Sequence, residues 1–454
     1  MSASRPGAED FWFLPLGGCG EIGMNLNLYG HNGAWLMVDL GVTFNREGQP
    51  GPEIQMADPE FIAHRRQDLA ALIVTHAHED HVGAVAHLWP ELKCPVYTTP
   101  FTAEVLKRKL GEAGLVQKVP VNVVRAGETR TIGPFSVHWV PMTHSIPDCH
   151  GLLLETPAAR VFHTADWKLD ARPVLGKPFS AKRYERLGEQ GLDAVICDST
   201  NATRSGGPVH EADLYAPLLE RVSEAKGRVV VTCFGSNLAR LHTLTRVAAA
   251  TGRYVGLLGR SLVNMVNCAR AADLWHPEVG LSGPRELGFL PRHEVLAIAT
   301  GSQGEPRTAL ARLASSLHRD MELEAGDTVL FSSRVIPGNE QAVARLQRGL
   351  ARLGVEIVRD EDLARPIHAS GHPTADELID MYGWLKPRLS IPVHGEEVHM
   401  QENARIASAC GVANTLTGRN GDLFRIAPRF AHEPDWAPSG RVGVERGKLV
   451  PCPM

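Results

Sequence analysis

The chain has 454 residues, 43% of them hydrophobic and 22% charged, with a formal net charge of −4. That length is too great for one hydrophobic core, so two or more domains are expected. No apolar run reaches the ~18 residues of a membrane span, and the weakly acidic balance gives no global attraction to nucleic acid, so a polyanion would have to be held by a local groove and by metals. Met1 to Asp10 is polar and lacks the apolar core of a signal peptide. The eight cysteines are scattered, without a CxxC pair, which reads as free or buried thiols in a reducing cytoplasm.

The first part of the chain predicts short strands at Phe11–Leu16, Asn25–Leu28, Ala34–Val38, Val96–Thr98, Ser136–Val140, Leu152–Glu155, Arg160–His163 and Asp193–Cys197. Most end in polar loops, which fits sheets with functional loops at their strand ends and helices outside. From about Gly206 the character changes. Helix-like Asp213–Ala225, Leu238–Thr251 and Ser261–Ala272 alternate with Arg228–Cys233, Tyr254–Leu258 and strand-like Val295–Thr300. The segments Thr308–Leu317, Thr328–Ser332, Asn339–Leu353 and Val355–Val358 come next. Repeated αβ units predict a doubly wound parallel sheet. His-bearing loops return at Ile367–His372 and Ile391–Glu396, so the αβ unit reads as an insertion into a first domain. The expected division is 1–205 and 367–432 for the first domain, 206–366 for the insertion, and a Pro- and Gly-rich tail over 433–454.

The most informative stretch is Thr75-His76-Ala77-His78-Glu79-Asp80-His81, directly after the apolar run Leu69–Val74. In extended chain alternate side chains share a face, so His76, His78 and Asp80 can converge on one point. His81 then opens a helix-like segment, Val82 to Trp89. Clustered imidazoles and carboxylates of this density suit a divalent transition metal, zinc above all. His144, Asp166 and His394 each follow an apolar strand as well, the usual place for an α/β active site.

These stretches resemble the metallo-β-lactamase superfamily, whose signature is HxHxDH followed by a distant His, Asp and His. Gly17–Asn25, His163–Asp166, Asp198–Asn201, Ala299–Pro306, Ile336–Glu340, His368–His372 and Pro392–Glu396 extend the likeness to its β-CASP branch, and to the bacterial ribonuclease J family in particular, over about residues 11–428. The resemblance implies an αββα sandwich with an inserted αβ domain. It implies two zinc ions per chain, with manganese or magnesium as substitutes. One would be held by His76, His78, His144 and Asp166, the other by Asp80, His81, Asp166 and His394. Two such cations activate water at neutral pH and stabilise charge on a phosphodiester. Asp39 resembles the carboxylate that orients a metal ligand. Asp198 and His372 resemble an acid–histidine pair able to protonate the leaving oxygen. Ser236, Asn237, His368, Ala369, Ser370, Gly371 and His372 match residues that hold substrate phosphates, a 5′-terminal monophosphate included.

In function the resemblance implies a cytoplasmic 5′-to-3′ exoribonuclease acting on single-stranded RNA, with endonucleolytic cutting as a second mode. Ala77 and Ala165 depart from glycines common in the family, Gly235 from an alanine, and Arg334 from a small residue. Gly41 to Asp58 lacks an acidic cluster, so no structural calcium is expected. The family's C-terminal domain has no counterpart, which weakens the expectation of a homodimer. Two rival readings are a hydrolase of small esters or thioesters and a non-catalytic RNA-binding subunit.

Overall fold

A computed structural model describes residues 5–45 and 50–452. The signal-peptide and calcium expectations thus fall partly, at residues 1–4 and 46–49, outside the described residues.

Two mixed sheets face each other. The first runs Ala431–Glu433, Leu423–Ala427, Phe11–Gly17, Leu26–His31, Ala34–Val38, Leu69–Ile73, Val96–Thr98 and Val121–Val123 in spatial order. The second runs Asn414–Thr415, Leu389–Val393, Ala194–Asp198, Arg160–His163, His150–Glu155, Phe135–Pro141 and Thr129–Ile132. The two-residue period of a strand decides which side chains fill the space between them. Phe11 and Phe13 turn inward with Leu36, Val38, Trp139, Ile196 and Ile391. Trp12, Leu14, Leu16, Trp35 and Met37 turn to the opposite face of the first sheet. Val195 and Cys197 turn outward from the second sheet, where Tyr382 and Leu385 of the helix Ala375–Leu385 and Ile406 of Glu397–Ala409 cover them.

The segment expected to alternate forms a separate six-stranded sheet. Its order is Leu281–Ser282, Tyr254–Leu258, Val295–Ala299, Val229–Thr232, Thr328–Phe331 and Glu356–Arg359, and every pairing in it is parallel. These strands are near-continuous Val, Leu, Ile and Ala runs, because helices such as Leu238–Thr251 and Glu340–Arg352 cover them. The chain enters this sheet from the second sandwich sheet after Asp198 and returns to that sheet at Leu389–Val393.

The expected tail is a correction. Arg441–Glu445 and Lys448–Pro451 form a hairpin, and the first of these strands pairs antiparallel with Ile54–Ala57. Trp436 anchors it, with its ring centroid 5.5 Å from Trp12 and 5.6 Å from Phe61. Proline and glycine density concealed an alternating Val442, Val444 and Leu449 pattern packed against the main core. Among the described residues no helix is long and apolar enough to cross a membrane.

Candidate metal centre

Six strand ends deliver the candidate residues to one edge of the sandwich. Asp39 follows Ala34–Val38, the His76–His81 segment follows Leu69–Ile73, and His144 follows Phe135–Pro141. Asp166 follows Arg160–His163, Asp198 ends its own strand, and His394 follows Leu389–Val393.

The expected convergence of His76, His78 and Asp80 on one extended face is corrected. The backbone turns helical over Glu79–Val82, so Asp80 and His81 swing away from His76 and His78. Two groups result. His76, His78, His144 and Asp166 each offer one ligand atom within 4.8 Å of the others, and so do Asp80, His81, Asp166 and His394. Asp166 belongs to both. A third overlapping group joins Asp166, Asp198, His372 and His394.

The tautomers support a cation. Thr75 Oγ1 donates to the Asp39 carboxylate, so His76 Nδ1, 3.1 Å from that hydroxyl, carries the proton and donates. His144 Nδ1 donates to Gly371 O at 2.6 Å. Both Nε2 atoms are therefore lone pairs, and they lie 3.1 and 3.0 Å from His78 Nδ1. Three ring nitrogens thus converge on one point, and a His78 tautomer protonated at Nε2 would turn all three lone pairs toward a cation there. Burial, reinforced by neighbouring imidazoles, pushes the pKa of His76 and His144 well below the usual range, and that of His78 down to about 4. Neutral imidazoles are the form that binds metal. In the second group His81 Nδ1 donates to Asp39 Oδ2 at 2.7 Å. That turns His81 Nε2 toward Asp166 Oδ2, 3.2 Å away, and Asp80 Oδ2, 3.5 Å away. His394 Nε2 lies 3.1 Å from Asp80 Oδ2. The donor set of nitrogens and carboxylate oxygens fits zinc.

Asp198 and His372 meet: Asp198 Oδ2 accepts from His372 Nδ1 at 2.8 Å. Burial opposes charge on both. The Asp198 and Asp166 carboxylates outweigh it at His372 and raise its pKa, while His372 holds the Asp198 carboxyl below its ordinary range. Gly371 is required beside them. A Cβ there would lie 2.7 Å from the His144 ring and 2.6 Å from Ser145 Oγ.

The phosphate residues are only partly gathered. Ser370 Oγ accepts from Asn201 Nδ2 at 2.7 Å and from His372 N at 3.2 Å, which leaves its O–H to donate elsewhere. His368 is 7% exposed and its Nδ1 has no partner among the described residues. Ala369 packs its methyl in the core, so only its backbone is available. Asn237 accepts from Arg240 N and caps the helix Leu238–Thr251. No hydrogen bond among the described residues ties Ser236 to Ser370 or His368; the Phe234 ring lies 6.4 Å from the His368 ring.

Three supporting residues carried no signal of their own in the sequence. Thr200 Oγ1 is 2.9 Å from His394 Nδ1 and 2.8 Å from Asp198 Oδ1, joining the two. Asn25 Nδ2 donates to Asp80 O. Buried Arg240 pairs with Glu211 and donates to Ser332 O and Ile367 O, just before the His368 loop. Thr200 could have been found by its place two residues after Asp198; Arg240 reads as an ordinary helical arginine.

Family models match three segments: a beta-lactamase superfamily domain at 49–200, the beta-CASP domain of ribonuclease J at 226–350, and a Zn-dependent metallo-hydrolase RNA specificity domain at 363–412. Ribonuclease J of Sinorhizobium meliloti is 43% identical over 446 residues, covering 97% of this chain and 78% of that protein. Ribonuclease J of Corynebacterium glutamicum is 37% identical, covering 95% of this chain and 60% of its own length. Ribonuclease J of Mycolicibacterium smegmatis is 37% identical, covering 89% and 73%. A crystal structure of a protein of unknown function from Enterococcus faecalis V583 superposes with a TM-score of 0.61 at 15% identity. It covers 92% of this chain and all of that one, a likeness of fold.

Proposed function

Because the chain belongs to the ribonuclease J family, we propose that it is a metal-dependent ribonuclease that hydrolyses phosphodiester bonds of single-stranded RNA in RNA processing and decay. The observation that carries this reading is the gathering of seven N and O ligand residues into two groups that share Asp166, with Asp198–His372 alongside. His76, His78, His144 and Asp166 would hold one zinc, and Asp80, His81, Asp166 and His394 the other. When bound, such a pair lowers the pKa of water and neutralises charge building on phosphoryl oxygens. Asp39 fixes the ring of His81, and Thr75 fixes that of His76. His372, kept protonated by Asp198, is placed to give a proton to the leaving 3′-oxygen.

The second domain and the His368–His372 loop favour a polymeric phosphodiester over a small ester. Ser370, Gly371 and His368, with the Phe234–Asn237 segment, would form the pocket for a 5′-terminal phosphate. A strand anchored there presents its first linkages to the metals, which supports 5′-to-3′ trimming; internal cutting needs no end. The test is one labelled RNA carrying a 5′-monophosphate, 5′-triphosphate or 5′-hydroxyl, beside a chromogenic ester. Release of mononucleotides from the monophosphate form first supports the reading. Ester turnover without RNA hydrolysis refutes it.

A further inference from the structure

Apart from His372, which is engaged by Asp198, the proposed end pocket lacks formal positive charge of its own. Ser236, Asn237, Ser370 and Gly371 are neutral. Burial, then the charges of Arg240 and Arg334, hold the His368 pKa well below its usual range, so that ring is neutral too. Arg240 is fully buried and spent on Glu211. A 5′-terminal monophosphate carries about −1.5 to −2 charges at pH 7, whereas an internal linkage carries one. Hydrogen bonds from neutral donors do not cancel a dianion withdrawn from water.

Two guanidiniums flank the loop. Ser332 N donates to Thr232 O at 2.9 Å, continuing the pairing of Thr232 with Phe331. Arg334, two residues on, lies just beyond the carboxyl end of that strand, the edge of a parallel sheet where ligands bind. Gln303 Nε2 donates to Arg334 O at 2.8 Å and fixes the backbone there. The Arg334 side chain is 48% exposed, and its Nε is 3.6 Å from Asp360 Oδ2, too far for a hydrogen bond. Asp360 spends its other oxygen on the backbone N–H groups of Ile367 and His368, at the root of the loop. On the other side, Arg204 N donates to Asn201 O, and Arg204 O accepts from Ala375 N, just beyond His372. Asn201 is the residue that holds Ser370. The Arg204 side chain is exposed and forms no ion pair among the described residues. Arg204 is thus tied through Asn201 to Ser370, and Arg334 through Asp360 to His368, so the two cations attach to two points of one loop. Burial, then the charge of Arg334, lowers the Arg204 pKa. A phosphate bound at the loop would interact favourably with both.

We propose that Arg204 and Arg334 are the specificity-determining cations of the 5′-end pocket, closing on the terminal phosphate from either side of the His368–His372 loop. The inference rests on the end-pocket reading and names the groups that give it charge selectivity. Donors from the loop fix the phosphate's position, and the guanidiniums make a terminal dianion bind better than an uncharged 5′-hydroxyl.

The experiment compares wild type, Arg204→Gln, Arg334→Gln, the double variant and Arg334→Lys on one labelled oligoribonucleotide with a 5′-monophosphate or a 5′-hydroxyl. KM and kcat are measured separately across a salt series. Each Gln substitution is expected to cut the monophosphate-to-hydroxyl ratio of 1/KM by about tenfold, chiefly through KM. The slope of log affinity against log salt should fall by about 0.7 per lost contact. Arg334→Lys, which keeps the charge but loses the planar fork, should restore part of the ratio. If wild type prefers the monophosphate and the double variant keeps that preference, the inference is overturned while the end pocket stands. If wild type hydrolyses both RNAs equally from the 5′ end, the end pocket itself fails and takes the inference with it.

Discussion

Asp39 Oδ2 accepts from His81 Nδ1 at 2.7 Å, and the same carboxylate takes the backbone N–H and the hydroxyl of Thr75. One buried group thus orients His81 of the second candidate metal position and, through Thr75, the His76 ring of the first. Asp39→Asn keeps the shape and removes the charge. It is expected to lower zinc affinity by about 10–100-fold, read by competition with a chromophoric chelator, while the circular dichroism spectrum stays that of wild type. Unchanged affinity would make Asp39 a turn residue only.

His372→Ala should slow the chemical step by roughly 10²–10⁴-fold, measured in single turnover, with zinc content near that of wild type. His372 bonds Asp198 and counts among no proposed ligand set of four, so loss of metal would reassign it to the third overlapping group with Asp166 and His394.

Ser370→Ala removes the hydroxyl that accepts from Asn201 and His372 and whose own proton is free to donate. Preference for monophosphate over hydroxyl ends should fall more than the rate of internal cleavage does. An equal fall in both would show that Ser370 only shapes the loop.

Ala165 has φ +53°, in the left-handed region. An L side chain there costs about 1 kcal/mol or more. Ala165→Gly is expected to stabilise the fold by about 1 kcal/mol, net of the greater freedom glycine gains when unfolded. A thermal melt reads it; a lower midpoint would show that the strain is already relieved locally.

Much of the site was legible because its residues punctuate strands. An apolar run followed by His or Asp is visible at Leu69–Val74, Ser136–Val140 and Leu389–Val393, and the structure puts all three ends on one edge. The division into two ligand groups was legible only through the family resemblance; local spacing pointed instead to His76, His78 and Asp80 on one face, because nothing in the residue types breaks the alternation where the chain leaves extended geometry at Glu79. The C-terminal hairpin was missed for a related reason. Its short strands acquire stability only by pairing with Ile54–Ala57, nearly four hundred residues earlier, and local composition carries no trace of that partner. The Glu211–Arg240 pair was equally silent, since its meaning lies in what both chain crossings bring to it.

The central claim is that hydrolysis depends on metals held by these seven residues. The most direct measurement strips the protein with a chelator, verifies the loss by elemental analysis, and titrates zinc back while following release of nucleotides from 5′-monophosphate RNA. Activity should vanish on stripping and return with about two equivalents per chain. Hydrolysis at the untreated rate by protein shown to be metal-free would contradict the account.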